Sequence, residues 1–291
     1  MTVLEAIQKS ADFLGKKSVE SPRLQTELLL AHLLKLPRMK LYLNFDRVLT
    51  PAETGALREL VKRRGQREPL QHITGSTSFC GYEIAVNRHT LVPRPETELL
   101  AEEGWQFLIT RHSSLATALD FGTGTGCIAI ALAAKCPTAK ITALDISPDA
   151  LALAKQNAGQ NKVQERIEFV RGDGFGALPA GTQFDLIISN PPYIPSAEIA
   201  TLQPEVRDFD PRGALDGGAD GLDFYRMLAA QAKAFLKPDG KIMLEFGDGQ
   251  ADALKTIFEN EKWIVEAVKD DYSQRARILI AKSSSFSSSS S

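Results

Sequence analysis

The chain reads as an α/β protein: a mostly parallel sheet with helices on both faces and an antiparallel last strand, preceded by a small helical bundle. Three observations predict this. From about residue 95, short apolar stretches alternate with helix-length ones, the succession that builds a parallel sheet covered on both sides. The last two strand candidates, residues 263–268 and 276–281, have no helix-length spacer between them and therefore pair antiparallel. Residues 1–72 hold 13 Lys and Arg against 8 Asp and Glu, while the whole chain of 291 residues carries a net charge of −2. That asymmetry points to two units with different surfaces.

The N-terminal unit, residues 1–72, is predicted to be helical. Ser21-Pro22 sets a capping residue before a proline at the first helical position, and Leu24, Glu27, Leu28, Leu29 and Leu33 follow it. Thr50-Pro51-Ala52-Glu53 has capping-box spacing and opens a helix through Leu57, Leu60 and Val61. Apolar residues recur every three or four positions, as one buried helix face requires. Residues 73–93 change period. Ile73-Thr74-Gly75 and residues 79–86 alternate apolar and polar around glycines, which predicts a β-hairpin linking the units.

Residues 94–282 form the second unit. Its strand candidates are residues 116–121, 140–145, 166–171, 184–189 and 241–246, followed by the closing pair. One intervening helix opens at Ser147-Pro148-Asp149 and another covers residues 222–236. The tail, residues 283–291, is almost pure serine with little to bury, and is expected to be disordered.

Composition narrows the function. At 43% hydrophobic and 24% charged residues, the chain matches ordinary globular proteins. Cys80, Cys127 and Cys136 cannot all pair, and none belongs to a CxxC clip. This predicts a reduced, intracellular protein without structural zinc, with Cys127 and Cys136 serving as small packing residues. His32, His72, His89 and His112 lie far apart, so no metal site is expected. No apolar run of membrane-spanning length and no secretory leader occurs, and a cytoplasmic location is expected. No heptad or symmetric interface is evident, so a monomer is expected.

Asp120-Phe121-Gly122-Thr123-Gly124-Thr125-Gly126 lies where the first strand of the sheet turns into a helix. Alternate glycines let the backbone turn tightly and approach a ligand without a Cβ in the way. The following helix presents its free amides to the same place. Asp145 ends the next strand, where a carboxylate accepts from ribose hydroxyls. Two nucleoside cofactors fit that pattern, S-adenosylmethionine and a dinucleotide. The dinucleotide fingerprint G-x-G-x-x-G fails from Gly122 because its last position is Cys127; from Gly124 it passes only in a weaker form ending at Ala129. After the third strand, Arg171-Gly172-Asp173-Gly174-Phe175 reaches the same rim, with Asp173 and the backbone at Gly174 placed to meet an adenine edge.

The fourth strand runs into Asn190-Pro191-Pro192-Tyr193. In open α/β sheets, ligands bind beyond the carboxyl ends of the strands, so this tetrapeptide faces the pocket. Two prolines fix φ and remove two donors, leaving a stiff corner with outward carbonyls. Asn190 supplies an acceptor and two donors, and Tyr193 a flat face. The set suits a planar nitrogen compound, an amide or an aminopurine. Such a nitrogen is a poor nucleophile because its lone pair is delocalised. Hydrogen bonds to the Asn190 side-chain oxygen and the Pro191 carbonyl would hold it against a sulfonium methyl and stabilise positive charge developing on it. Positioning then supplies most of the rate. Asn190 and Tyr193 are the expected catalytic residues.

With these residues in view, the chain resembles the HemK/PrmC family, the peptide chain release factor glutamine N(5)-methyltransferases, over about residues 1–282. The resemblance is carried by Leu91-Val92-Pro93-Arg94-Pro95-Glu96-Thr97-Glu98, the glycine loop, Asp145, residues 189–193 and the helical N-terminal unit. It implies a Rossmann-like class I methyltransferase sheet with S-adenosylmethionine as donor. The implied acceptor is the glutamine of the Gly-Gly-Gln motif in class-I release factors, so that the reaction modulates translation termination. Gly122, Thr123, Gly124, Thr125, Gly126, Asp145 and Asn190 carry over as cofactor contacts, and Asn190, Pro191, Pro192 and Tyr193 as the acceptor loop. One position departs. Relatives can carry tryptophan at the position matching Gly174, and its absence here leaves adenine cover to Phe175 or to backbone alone.

Asn-Pro-Pro-Tyr also occurs in adenine amino-methyltransferases acting on DNA or RNA. Those enzymes neutralise phosphates with a basic surface. Here the residues beyond 72 carry 21 Lys and Arg against 28 Asp and Glu, and only Arg207 and Arg212 are basic between 194 and 220. A polypeptide acceptor is therefore expected, with no nucleic-acid substrate. The oppositely charged helical unit is expected to grip the release factor.

Overall fold

The computed structural model describes residues 1–111 and 115–283. His112 and the serine tail from residue 284 lie outside them. Contacts divide the chain into two compact units, Met1–Ser76 with Gln203–Phe209, and Thr77–Leu202 with the chain from Asp210 onward.

The first unit packs α1 (Val3–Lys16), α2 (Pro22–Leu34), α3 (Arg38–Leu41), α4 (Pro51–Gly65) and α5 (Leu70–Thr74) around Ile7, Leu14, Leu29, Leu30, Leu41 and Leu57. The Thr50–Glu53 capping box forms as expected, each side chain receiving the other's backbone N–H. A second box, Thr2–Glu5, opens α1. Two local expectations are corrected. Ser21 adopts a left-handed φ of 46° and its side chain caps nothing, although Pro22 does begin α2. Ile73 and Thr74 close α5 instead of starting the hairpin, because apolar Leu70 and Ile73 share one helical face toward this core. Glu27 is buried on α2, where Arg23, Arg38 and Tyr42 donate to its carboxylate, the compensation a buried charge requires. Glu205, in the segment Gln203–Phe209, accepts from Arg64 at 2.7 Å and from Arg67 at 2.6 and 2.5 Å. Burial opposes that charge, but the hydrogen bonds from Arg67 and Arg64 outweigh it and hold the carboxyl below its usual range.

In the second unit, β1 (Ser76–Phe79) and β2 (Tyr82–Ala85) make the hairpin. After α6 (Pro95–Ile109) come β3 (Thr117–Phe121), α7 (Cys127–Lys135), β4 (Lys140–Asp145), α8 (Pro148–Gln160), β5 (Ile167–Arg171), β6 (Phe184–Ser189), β7 (Leu236–Glu245), β8 (Trp263–Asp270) and β9 (Ala276–Ser283). The sheet order is β5-β4-β3-β6-β7-β9-β8; β5 through β7 are parallel, while β9 runs antiparallel between β7 and β8. The antiparallel close was legible, since the chain between the last two strands is too short for a crossover.

Successive residues of the central strands face opposite cores. Ala118, Leu186, Ile188, Met243 and Ile278 pack with α6, α7 and the hairpin residues Phe79 and Ile84. Leu119, Ile187, Ile242, Leu244 and Leu279 pack with Tyr225 and Leu228 of the helix Asp223–Gln231 and Leu254 and Phe258 of the helix Ala251–Asn260. A sheet buried on both faces needs unbroken apolar strands, and β6 is buried at every position. Cys127 and Cys136 are buried, and burial pushes their thiols up to about 12 and about 11. No helix among the described residues is long and apolar enough to cross a membrane.

Candidate active site

The chain leaves β3 through α7 to β4 and β5 on one side, then returns to place β6 on the other. The loops after β3 and β6 therefore diverge at a topological switch point, where open α/β sheets form their ligand crevice. Backbone hydrogen bonds tie this rim together. The N–H groups of Gly122 and Thr123 both donate to the Leu144 carbonyl at 2.9 Å, and that of Gly172 donates to Asp145 O at 3.1 Å. Ser189 Oγ donates to Phe121 O at 2.6 Å.

Gly122, Gly124 and Gly126 have φ of 75°, 54° and 81°, a region that L side chains enter at a cost. A Cβ at Gly122 or Gly124 would meet nothing within 4 Å, so the loop turns bare backbone toward open space. Thr123 and Thr125 are buried instead. Thr123 Oγ1 donates to Asp120 Oδ2 at 2.6 Å, and the Thr125 carbonyl accepts from Asn157 Nδ2 at 2.9 Å. Asn157 also exchanges two hydrogen bonds with the Ala85 backbone, bracing the loop against the hairpin.

Asp145 ends β4 as expected. Its Oδ2 accepts from Gly124 N at 2.8 Å and its Oδ1 from Ser147 N at 2.9 Å. Each oxygen keeps a further lone pair for a hydroxyl donor. The next residue, Ile146, is 61% exposed, an apolar side chain on the rim. Asp173 is exposed at the start of a 3-10 turn, and Gly174 has a φ of 73°. Phe175 does not cover the pocket. It is only 2% exposed, stacked on Phe235 at 4.7 Å and tilted against Phe121 at 5.0 Å; burying its apolar ring in that core outweighs leaving it on a wet rim.

Asn190 stands just past β6. Its Nδ2 donates to Thr97 Oγ1 at 3.1 Å. None of the hydrogen bonds among the described residues uses its Oδ1. Pro191 is buried, and Pro192 and Tyr193 are half-buried. The corner is pinned from two sides. Gln250 Nε2 donates to Tyr193 O at 2.9 Å, while Ile194 N donates to Leu215 O and Gly217 N to Ile194 O, both at 2.9 Å. The Tyr193 ring lies so close to Gly247 that a Cβ there would come within 2.9 Å of Cδ2. Burial, and then the nearby Glu245 charge, push the Tyr193 hydroxyl up to about 12, so it stays neutral.

Sequence reasoning missed three residues of this neighbourhood. Thr97 and Asp120 were noted only within their motifs, without a role. Glu245, at the end of β7, accepts from Thr97 Oγ1 at 2.7 Å. Asp120 is buried with Oδ1 unpartnered among the described residues; burial pushes its carboxyl up to about 7 against the Thr123 and Ala129 hydrogen bonds. An acid inside an otherwise apolar strand was the available signal for both carboxylates.

Residues 5–75 match the family model for the PrmC N-terminal domain, and residues 101–203 match that for the methyltransferase small domain. A release factor glutamine methyltransferase of Geobacter sulfurreducens is 46% identical over 258 residues, 88% of each chain. The chain belongs to the release factor glutamine methyltransferase family. The resemblance read from its motifs is thereby borne out, and the protein is a methyltransferase. A second relative so named, from Rhodospirillum rubrum, is 46% identical over 91% of this chain and 80% of its own. A methyltransferase structure from Pyrococcus furiosus shares the fold, with a TM-score of 0.50 and 22% identity over 70% of this chain and 90% of that one.

Proposed function

We propose that this enzyme transfers a methyl group from S-adenosylmethionine to the side-chain amide nitrogen of the glutamine in the Gly-Gly-Gln motif of class-I release factors. The observation that carries the reading is the Asn190 carboxamide. It stands on the rim of the glycine loop with its nitrogen committed to Thr97 and its oxygen uncommitted. An uncommitted carbonyl oxygen beside the Pro191 carbonyl makes a pair of acceptors, and a primary amide offers a pair of N–H donors. The names of the relatives support a release factor as acceptor.

The pocket fits the donor. The open side of Gly122 and Gly124 receives it, the spare lone pairs of Asp145 take the ribose, and Asp173 with the Gly174 backbone takes the adenine edge. Ile146 supplies the apolar cover that Gly174 lacks. The unpartnered, buried Asp120 oxygen adds a site for a hydrogen-bond donor. When bound, S-adenosylmethionine supplies an electrophilic methyl on a positively charged sulfur. Asn190 Oδ1 and Pro191 O hold the acceptor nitrogen in line and stabilise the positive charge it gains as the new bond forms. The proton then leaves that nitrogen for water. Neutral Tyr193 supplies an apolar face against the acceptor amide plane.

The N-terminal unit binds the release factor away from the reacting glutamine. Met39 and Leu43 stand 66% and 76% exposed there, beside a surplus of basic residues. The whole reading is tested with labelled donor, an intact release factor and its glutamine-to-alanine version. Label that reaches only the former, and maps by mass spectrometry to that glutamine, supports it. Equal labelling of both, or transfer to an RNA or DNA duplex instead, overturns it.

A further inference from the structure

An asparagine side chain has two ends of nearly equal size and opposite hydrogen-bonding character. If Asn190 presented its NH₂ to the acceptor, two donors would face each other and the amide would be repelled. Something must fix which end faces the pocket. Thr97, in the first turn of α6, is 3% exposed, and Glu245, at the end of β7, is 2% exposed. The single Thr97 hydroxyl proton goes to Glu245 Oε2 at 2.7 Å, so toward Asn190 its oxygen can only accept, and it does so at 3.1 Å.

We propose that Thr97 and Glu245 are positioning residues that lock the Asn190 carboxamide with its oxygen toward the acceptor amide. This rests on the reading of Asn190 as the ligand of that amide. The relay is itself anchored: Tyr225 Oη donates to the Glu245 carbonyl at 2.8 Å, and Arg277 Nη1 donates to Phe246 O at 3.1 Å. The charged and titratable groups facing Glu245 are Arg277 on β9, Glu96 on α6, Tyr193 and Tyr225. Burial, with the Glu96 charge, pushes the Glu245 carboxyl up to about 7, against the Thr97 hydrogen bond, the Arg277 charge and a hydrogen bond from the Asn190 side chain itself. The carboxylate thus holds the Asn190 nitrogen directly as well as through Thr97. Once protonated, Glu245 can donate to Thr97. The Thr97 proton is then free to turn toward Asn190 and favour the reversed amide.

The test measures methyl transfer to an intact release factor, S-adenosylhomocysteine binding by calorimetry, and the Asn190 side-chain amide resonances by ¹⁵N NMR. Thr97→Val should lower kcat about 10- to 100-fold, with KM and S-adenosylhomocysteine affinity within about twofold, and Thr97→Ser should recover most of the loss. The Asn190 amide resonances should shift or broaden in Thr97→Val. The wild-type rate should fall as pH drops through about 7, and Glu245→Gln should flatten that step. Thr97→Val at wild-type kcat, or Thr97→Ser as impaired as Thr97→Val, overturns the proposal. So does a rate loss that tracks S-adenosylhomocysteine affinity. Those results alongside an inactive Asn190→Ala would overturn the relay alone, whereas an active Asn190→Ala would overturn the reading of Asn190 itself.

Discussion

Ser189 at the end of β6 donates a buried 2.6 Å hydrogen bond to the Phe121 carbonyl at the end of β3, stapling the strand before the glycine loop to the strand before Asn190. That hydroxyl extends the β3–β6 ladder, whose last pair is Asp120 with Ile188, to the residues just before the two loops. Ser189→Ala would leave a buried carbonyl unpaired, at about 1–2 kcal/mol. A lower urea midpoint with unchanged slope is the expected readout. Because the proposed mechanism places both substrates on this rim, kcat should fall as well.

In the proposed mechanism, Asn190→Ala removes one of the two acceptors for the amide nitrogen. Transfer to the release factor should fall by about 10²-fold or more. S-adenosylhomocysteine affinity, measured by calorimetry, should change only moderately, since the glycine loop and Asp145 remain. Unaltered turnover would refute the role given to Asn190.

Asp120 sets a pH dependence of stability whose sign follows from its environment. Burial raises its pKa in the folded chain from 3.8 to about 7. For an acid with a raised folded-state value, the stability contribution is complete below about 4 and is lost as pH rises through about 7. Asp120→Asn keeps an acceptor for Thr123 and carries no charge. It should exceed wild type by on the order of 2 kcal/mol at pH 8, with the gap shrinking toward pH 5. Thermal melts at the two pH values check this; a constant gap would contradict it.

Docking through the N-terminal unit predicts a substrate-size effect. Leu43→Asp with Met39→Asp should raise KM for an intact release factor about tenfold, because exposed apolar anchors carry much of an interface's energy. Turnover of a short Gly-Gly-Gln peptide should not change. Equal effects on both acceptors would argue against docking there.

Much of the catalytic unit was legible because its physics is local. Strands β4 and β6 fall where their apolar runs predict, and the glycine loop, Asp145 and residues 190–193 share one rim because each follows a parallel strand. Long-range contacts were not legible. Thr97 lies 93 residues from Asn190, and Glu245 lies 148 residues from Thr97, so no spacing rule joins them. The choice between Phe175 and backbone for the adenine cover was not legible, because Phe235, which draws Phe175 into the core, is distant in sequence. Ile73 and Thr74 were misread because a short helical turn and an alternating strand start look alike over three residues.

The most direct test is a crystal structure of the enzyme with S-adenosylhomocysteine and a Gly-Gly-Gln peptide. The expected result is a glutamine amide nitrogen within hydrogen-bonding distance of both Asn190 Oδ1 and Pro191 O, facing the sulfur. A glutamine bound elsewhere, or an Asn190 carboxamide whose NH₂ faces the peptide, would contradict it.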